Sequence, residues 1–481
     1  PLLGACGSGD AADAGQLTLG TTEIMQFDPY LTNASVHIHT FYSYLIGYDE
    51  EYTPVPAGAE DWAFAEDHLS VTITLGENTF HSGDPVTADD VVVGVERALD
   101  PEAGFTLAQP SSFIDSATAE DERTVRIDFV EPTPDELVLD WMFAFPLVPA
   151  DKNTPEALEH EPAGSGPFLL EDFKRDQKLT LVKNPEFWDE GKPHLDKVEF
   201  RFFSDEESLV ASLESGDVDG ATYLALRHAE RLRERFTLVE GKGRMDLFFM
   251  NGAKAPFDNK ELRQAIARAV DRDRVVEQVR FDMAEPVYTA FMPESPAFDD
   301  AYLTSHAFDL EAAEKLLKSS GGATSAVAGV GDEPGAMEIL QIIQADLEKI
   351  GFALEIEPME QTTFLDELFA GNLECCVAAQ PNNLQSPSLI ARGRQMLPSK
   401  DNVMMSDNVP EDYVKAVDET RTAIGDEDKS AAYARINEIL VDEAWAVGIA
   451  TRQSLTALEA GISGFVVGRR DDFILTDVKR E

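Results

Sequence analysis

Cysteine and long apolar runs are scarce in this chain. Its 481 residues include three cysteines, Cys6, Cys375 and Cys376, which excludes a disulfide-stabilised scaffold and requires a fold held by packing. No apolar run approaches the about 20 residues that span a bilayer as a helix. Cys375 and Cys376 lie on a predicted buried strand. We expect buried free thiols there, with a strained vicinal disulfide or a metal pair as the alternative.

Basic residues are also few. There are 39 Lys and Arg against 90 Asp and Glu, which gives a formal net charge of −51. Such a charge repels the phosphate backbone, so we expect no nucleic-acid partner. The acidic residues are spread along the whole chain, which indicates a solvated surface suited to high salt. Attraction for cationic solutes is the functional alternative. The apolar fraction of 43% indicates a globular protein, and the length suggests two or three domains.

The motifs of common catalytic sites are missing as well. The chain has no Gly-x-Ser-x-Gly, no His-Glu-x-x-His and no phosphate-binding P-loop. His37 and His39 are too few for a metal site. The sequence therefore predicts no enzyme, no cofactor and no metal. An Asp/Glu pair for glycoside hydrolysis is the enzyme alternative, because carboxylates are too abundant for inspection to exclude it.

The first residues are typical of a membrane-anchored protein. Leu3-Gly4-Ala5-Cys6 resembles a bacterial lipobox, the end of a lipoprotein signal peptide that is cleaved just before its cysteine. We expect the printed sequence to begin inside that signal. A small, polar and acidic stretch follows to residue 16 and has the composition of a tether. We therefore predict lipidation of Cys6, since acyl chains there would anchor the protein durably.

Strand-like and helix-like segments alternate from Leu17 onward, as in a mixed α/β protein. Thr87 is predicted to cap a helix that ends at Leu99, and the Gly321–Gly335 segment is predicted to be a mobile loop. Strands are predicted at Leu17–Leu19, Val71–Leu75, Lys178–Lys183, Lys197–Phe203, Phe352–Ile356 and Cys375–Ala379. Helices are predicted at Asn33–Tyr48, Asn259–Arg280, Leu310–Ser319, Ala336–Ile350, Gln361–Phe369, Asp412–Ile424 and Lys429–Glu443.

Seven sequence blocks, in order, resemble the family-5 extracellular solute-binding proteins of ABC importers, which include oligopeptide, dipeptide, nickel and some sugar receptors. Taken singly, most of these residues have structural explanations, such as turns at glycine and helix starts at aspartate. The blocks are FHSGDPVTADDVVVGVERAL (80–99), GSGPFLLEDF (164–173), LVKNPEFWDEGKPHLDKVEFRF (181–202), LESGDVDGA (213–221), APFDNKELRQAIARAVDRDRVV (255–276), LEAAEKLLKSSG (310–321) and LVDEAWAVGIATRQSLTALEAGISGF (440–465).

The resemblance implies an α/β, two-lobe clamshell of the periplasmic-binding-protein type. Lobe I would comprise residues 17–43, 163–244 and 452–481, with an inserted subdomain at 44–162. Lobe II would be residues 245–451. Two crossing segments, about Met245–Asn251 and Ala446–Arg452, would form a hinge that closes on the solute.

The resemblance also implies a function. The protein would capture a peptide or related solute, as a lipid-anchored monomer on the outer face of the cytoplasmic membrane, and deliver it to an ABC permease. A non-peptide solute, such as a sugar or a metal chelate, is one alternative, and a surface receptor without a permease is another.

Peptide-binding members usually carry an aspartate for the peptide amino terminus in a pattern like Trp-x-x-Asp-Tyr-x-Asp-Pro. The matching run here is Gln380–Pro387, in which Asn382 or Asn383 stands at the carboxylate position. Because the charge is lost, we expect no recognition of a free α-amino group there. Arg392 is a candidate partner for a ligand carboxylate. The complete set of candidate ligand-binding residues is Met25, Gln26, Phe27, Tyr223, Phe249, Asn251, Gln380, Asn382, Asn383, Gln385 and Arg392.

Overall fold

The computed structural model describes most of the chain, which divides into two compact units. Unit 1 is Pro1–Gly241 with Ser454–Glu481, and unit 2 is Lys242–Gln453. The predicted crossing segments therefore lie inside unit 2, and the chain passes from one unit to the other at 241/242 and 453/454. The described residues are 15–22, 27–30, 38–49, 53–100, 111–160, 162–293, 295–321, 323–381, 386–387, 409–468 and 472–481.

Strands and helices alternate through both units. The strands are β1 (Gln16–Thr21), β2 (Ile46–Tyr48), β3 (Pro54–Pro56), β4 (Ala59–Phe64), β5 (Ser70–Leu75), β6 (Ile114–Ala119), β7 (Thr124–Phe129), β8 (Phe168–Lys174), β9 (Lys178–Lys183), β10 (Lys197–Phe202), β11 (Gly220–Leu224), β12 (Thr237–Met250), β13 (Ser325–Val330), β14 (Ala353–Pro358), β15 (Cys375–Pro381), β16 (Ala446–Leu458), β17 (Ile462–Ser463), β18 (Val466–Val467), β19 (Phe473–Ile474) and β20 (Lys479–Arg480).

The helices are α1 (Ile38–Phe41), α2 (Ala88–Leu99), α3 (Asp135–Ala144), α4 (Pro155–His160), α5 (Glu206–Ser215), α6 (Ala229–Leu232), α7 (Lys260–Arg268), α8 (Arg272–Gln278), α9 (Leu310–Ser319), α10 (Ala336–Lys349), α11 (Gln361–Phe369), α12 (Glu411–Thr422) and α13 (Asp426–Glu443). Short 3-10 turns occur at Ala150–Lys152, Leu226–His228 and Asp300–Tyr302.

The main sheet of unit 1 has the strand order β16–β11–β1–β10–β9–β8. Strand β1 is parallel to both neighbours, and Leu19 is paired with Phe200 of β10 and with Gly220 of β11. Strand β9 runs antiparallel to β10 and β8. Because parallel strands point the same way, the carboxyl ends of β1, β10 and β11 lie at one edge of this sheet.

A second sheet in unit 1, β4–β5–β7–β6, is antiparallel throughout and packs against α2. The predicted cap of that helix is confirmed: the Asp90 carboxylate accepts hydrogen bonds from the Thr87 N–H and hydroxyl, each at 2.8 Å. The bond from the Thr87 N–H satisfies a backbone donor at the start of α2 that the helix itself leaves without a partner. This sheet lies within residues 44–162, the predicted inserted subdomain.

Gly166 explains why the second sequence block contains glycine. Its N–H donates to the Phe41 carbonyl oxygen at 2.7 Å, and a Cβ at this position would lie 2.5 Å from the same oxygen. Only a residue without a side chain permits this approach. The block therefore joins α1 to the start of β8.

The sheet of unit 2 has the order β14–β13–β15–β12–β16. Strand β13 is parallel to β14 and β15, whereas β12 is antiparallel to β15. Side chains alternate between two apolar clusters, with Phe248 and Cys375 in one and Phe249 and Cys376 in the other. The two thiols are buried and free, and adjacent strand residues point to opposite faces of a sheet.

Three predicted elements were wrong in part. Residues 259–280 form two helices, because the Asp271 side chain accepts a bond from the Arg274 N–H and starts α8. The segment 321–335 contains strand β13. Its side chains are small, so the sequence lacks the pattern of large apolar residues that predicts a strand. A small residue is required at Gly329, because a Cβ there would lie 2.7 Å from the Leu373 side chain. Within 33–48, the described part has the short helix α1 followed by β2.

Among the described residues, no helix combines the length and the apolar character needed to cross a membrane. The same residues contain no group of three or more His, Cys, Asp or Glu side chains arranged to hold a metal ion.

Candidate functional site

The carboxyl edge of the parallel strands is the candidate binding edge in each unit. In open α/β sheets, ligands bind outside the carboxyl ends of the strands, where loops and helix starts offer polar groups. In unit 1 this edge follows β1, β10 and β11. In unit 2 it follows β13, β14 and β15.

Phe27 lies just beyond β1 in unit 1 and is firmly held. Its ring meets the Phe173 ring edge-on at 4.9 Å, and its carbonyl oxygen accepts a bond from the Tyr42 hydroxyl at 2.8 Å. The next residue, Asp28, forms a buried ion pair with Arg97 at 2.5 Å. Phe27 and Asp28 are therefore fixed by packing and by charge together.

Tyr223 lies near the end of β11, at the same edge. Its ring stacks on that of Phe473, with 5.3 Å between centroids and 29° between planes. Phe473 in turn contacts Phe465 at 5.1 Å. The backbone of Tyr223 has φ 56°, a left-handed conformation that bulky residues rarely adopt.

A histidine lies beside this aromatic row. His39 Nδ1 is 3.4 Å from the Asp472 carboxylate, and its ring stacks on Tyr44 at 4.3 Å. Asp472 directly precedes Phe473, so the His39–Asp472 contact links α1 to the start of β19. Segments far apart in the sequence thus meet at the carboxyl edge of unit 1.

The carboxyl edge of unit 2 carries an ion pair, Glu333 with Arg452. Glu333 follows β13, and its Oε2 accepts bonds from Arg452 Nη1 at 2.5 Å and from the Ala379 N–H at 3.3 Å. The side chains are 23% and 15% exposed, so solvent reaches this pair. The pair therefore offers both a carboxylate and a guanidinium to a solute.

A second pair lies deeper in unit 2. Arg280 donates to the Asp246 carboxylate through Nε at 3.0 Å and also through Nη2, and both side chains are almost fully buried. Arg280 Nη1 reaches the Pro334 carbonyl oxygen at 3.4 Å. This buried pair supports the loop that carries Glu333.

Most of the chain matches the model of a known protein family. Residues 53–390, more than half of the chain, match the model of the bacterial extracellular solute-binding proteins, family 5 Middle. The chain belongs to this family. The resemblance seen in the seven sequence blocks is therefore confirmed.

Curated relatives of this family-5 protein include peptide receptors. The chain is 30% identical to the dipeptide-binding protein DppE of Bacillus subtilis over 270 residues, which are 52% of this chain and 49% of DppE. It is 26% identical over 348 residues to a putative ABC transporter peptide-binding protein of Brucella ovis, with 68% of this chain and 64% of that protein covered. The matches therefore span about half to two thirds of these relatives.

The fold of the family-5 protein matches solved structures over nearly its whole length. One is the ABC transporter-associated periplasmic binding protein DppA of Helicobacter pylori in complex with the peptide STSA. The TM-score is 0.83 at 21% identity, and the match covers 97% of this chain and 98% of that one. The predicted mixed α/β, two-lobe fold of periplasmic binding proteins is thereby confirmed.

The structure brings only some of the predicted ligand residues to these edges. Phe27 and Tyr223 lie at the edge of unit 1. Phe249 and Asn251 lie at the opposite end of the unit 2 sheet, where the Asn251 amide donates to the carbonyl oxygens of Gly371 and Leu373 at 3.1 and 3.0 Å. Gln380 belongs to β15. The candidates outside the described residues are Cys6, Met25, Gln26, Asn382, Asn383, Gln385 and Arg392.

Sequence reasoning missed several residues at these edges. Glu333 falls in the segment predicted to be a mobile loop, and Arg452 was assigned only to a hinge strand. Phe473 and Asp472 reach the edge of unit 1 from the end of the chain. No local sequence signal marks these residues, because their roles depend on pairing across long chain separations.

Proposed function

We propose that this protein is the solute-binding component of an ABC importer and that it captures a peptide or a related solute outside the cytoplasmic membrane. The family match over residues 53–390 carries the proposal. Support for the ligand class comes from relatives named as dipeptide- and peptide-binding proteins. The charged pair Glu333–Arg452 at the carboxyl edge of unit 2 is partly exposed and suits a solute with polar groups.

The bound solute would be passed unchanged to a permease, so we expect binding without turnover. Purified protein should be analysed by native mass spectrometry for a bound solute, then titrated by calorimetry with alanine peptides of two to five residues. Micromolar binding of a peptide that is recovered intact supports the proposal. Cleavage of the peptide would indicate an enzyme. A co-purified sugar or metal chelate, with no peptide binding, would identify a different ligand class.

Membrane attachment through Cys6 is a separate part of the proposal. The lipobox-like Leu3–Cys6 segment and the acidic stretch after it support a lipid anchor. A full-length precursor expressed in a bacterial host should incorporate labelled palmitate, and Cys6→Ala should release the protein from the membrane fraction. Labelling that survives the substitution would count against the anchor.

A further inference from the structure

The backbone of Tyr223 has an unfavourable, left-handed conformation that the surrounding structure must stabilise. Left-handed φ values are rare for bulky side chains because the Cβ crowds the backbone. Tyr223 adopts φ 56° without being glycine or asparagine. Such outliers persist only where the surrounding structure enforces them, and they occur often at ligand-binding sites.

A β-bulge accounts for the direction of the Tyr223 side chain. Strand β11 pairs with β16 through Ala221–Ala457 and then through Leu224–Leu455, so β11 has one residue more than β16 over this stretch. A bulge of this kind breaks the regular alternation of side chains and re-aims one of them. Its neighbours Thr222 and Leu224 are buried, whereas Tyr223 is only partly buried.

One face of the Tyr223 ring packs against the first of two buried phenylalanine rings. Phe473 is 1% exposed and lies against one face of the ring, and Phe465 packs behind Phe473. The contact of His39 Nδ1 with the Asp472 carboxylate, at 3.4 Å, helps to hold the residue next to Phe473. A ring held in this way loses little further conformational freedom on binding, so its surface is preorganised.

Ordinary core packing does not explain this arrangement. A left-handed backbone also occurs in the core, at Ala444 with φ 52°, but there it ends helix α13 and does not accompany a strand bulge. At Tyr223 both occur together, at the carboxyl edge where solutes bind in α/β sheets.

We propose that Tyr223 is a stacking platform that makes this protein selective for solutes bearing an aromatic side group. The inference rests on the proposed function and names the ligand class more closely: peptides that contain an aromatic residue. Aromatic rings prefer offset or edge-on contact with a second ring, and the energy of such a contact exceeds that of apolar burial alone.

The test compares trialanine with the three tripeptides that carry one phenylalanine, by calorimetry. In the wild-type protein, at least one phenylalanine peptide should bind at least about fivefold more tightly than trialanine. Tyr223→Ala should reduce this ratio to within about twofold, and Tyr223→Phe should preserve it because the ring remains. Trp188→Ala removes a partly exposed aromatic side chain elsewhere in unit 1 and should leave the ratio unchanged.

An equal preference for phenylalanine in the wild type and in Tyr223→Ala would overturn the platform while leaving the proposed function intact. Absence of binding by every peptide of two to five residues, with or without phenylalanine, would overturn the proposed peptide function, and the platform with it. Melting temperatures supply an independent readout of strain. Glycine normally weakens a strand relative to alanine, but at φ 56° Tyr223→Gly should melt at or above Tyr223→Ala. A lower value for glycine would contradict the strained backbone.

Discussion

Asp28 and Arg97 form a buried ion pair in which the arginine Nη2 donates to the aspartate Oδ2 across 2.5 Å. The guanidinium also donates to Asn153 Oδ1 at 2.7 Å and lies 4.6 Å from the centre of the Tyr30 ring. Arg97 lies in the last turn of α2, which packs against the antiparallel sheet of unit 1, whereas Asp28 follows the candidate ligand residue Phe27. The pair therefore links the predicted inserted subdomain to the residues around Phe27.

Removing the charge of Asp28 should destabilise the protein strongly. In Asp28→Asn the guanidinium remains buried without its carboxylate, which costs about 3–5 kcal/mol. Urea denaturation measures the free energy of unfolding. The control is Asp128→Asn, which breaks a solvent-exposed pair with Arg126 and should cost less than about 1 kcal/mol. A similar loss in the free energy of unfolding for the two variants would show that the buried Asp28–Arg97 pair stabilises the protein no more than the exposed pair does.

Salt should stabilise this protein. With a net charge of −51, repulsion among carboxylates is stronger in the compact state than in the unfolded chain. The screening length falls from about 10 Å at 0.1 M salt to about 3 Å at 1 M. The melting temperature should therefore rise between 0.05 and 0.5 M NaCl, where screening changes most. A flat profile in this range, with a rise only above 1 M, would indicate a preferential-exclusion effect instead.

The adjacent thiols predict a loss of stability at alkaline pH. Burial raises the pKa of both Cys375 and Cys376. Thiols in the unfolded chain ionise near pH 8.5 while those in the folded protein stay protonated, so rising pH favours unfolding. The stability that the protonated thiols contribute to the folded protein is fully present below pH 8.5. It is lost as the pH rises further, by up to about 1.4 kcal/mol per pH unit for each thiol.

The measurement for the thiols is the free energy of unfolding between pH 7.5 and 9.5. The variant with both Cys375→Ala and Cys376→Ala is less stable at neutral pH because it contains cavities. Its stability should nevertheless fall less steeply with pH than that of the wild type. Equal slopes would mean that the thiols titrate alike in the folded and unfolded states.

Ligand binding should reduce the radius of gyration. The chain passes between its two units only at 241/242 and 453/454, inside strands β12 and β16, and hinge motion there needs few changes in backbone angles. Small-angle scattering with and without a saturating peptide measures the change. An unchanged radius at saturation would contradict the predicted hinge closure.

N-acetylated peptides test the prediction at Asn383, which lies outside the described residues. Asparagine keeps the shape of aspartate but not its charge, and a buried ammonium without a charged partner costs several kcal/mol. Acetylation of a bound peptide should therefore change its Kd by less than about threefold, as measured by calorimetry.

A loss of about tenfold or more on acetylation would assign the ammonium to another carboxylate. Glu333 is the first to examine, because it lies at the carboxyl edge of unit 2. Glu333→Gln should then abolish the difference between free and acetylated peptides. Asp332→Asn removes the same charge from the neighbouring exposed residue and should keep that difference.

Motifs and local patterns along the chain were enough to predict the family, the α/β class and most of the helices and strands. Helices α9 and α11 and strand β9 have the predicted bounds, because apolar periodicity and capping residues are local signals. The Thr87–Asp90 cap is local in the same way. The net charge of −51 is also a property of composition alone.

The construction of the two candidate binding edges, by contrast, depends on contacts that form only in the folded protein. Asp28 and Arg97 are 69 residues apart, and Glu333 meets Arg452 from a segment that the sequence predicted to be a loop. Tyr223 takes its direction from a bulge that exists only where β11 pairs with β16. Such contacts depend on strand register and on long-range packing, which carry no signal in the neighbouring residues.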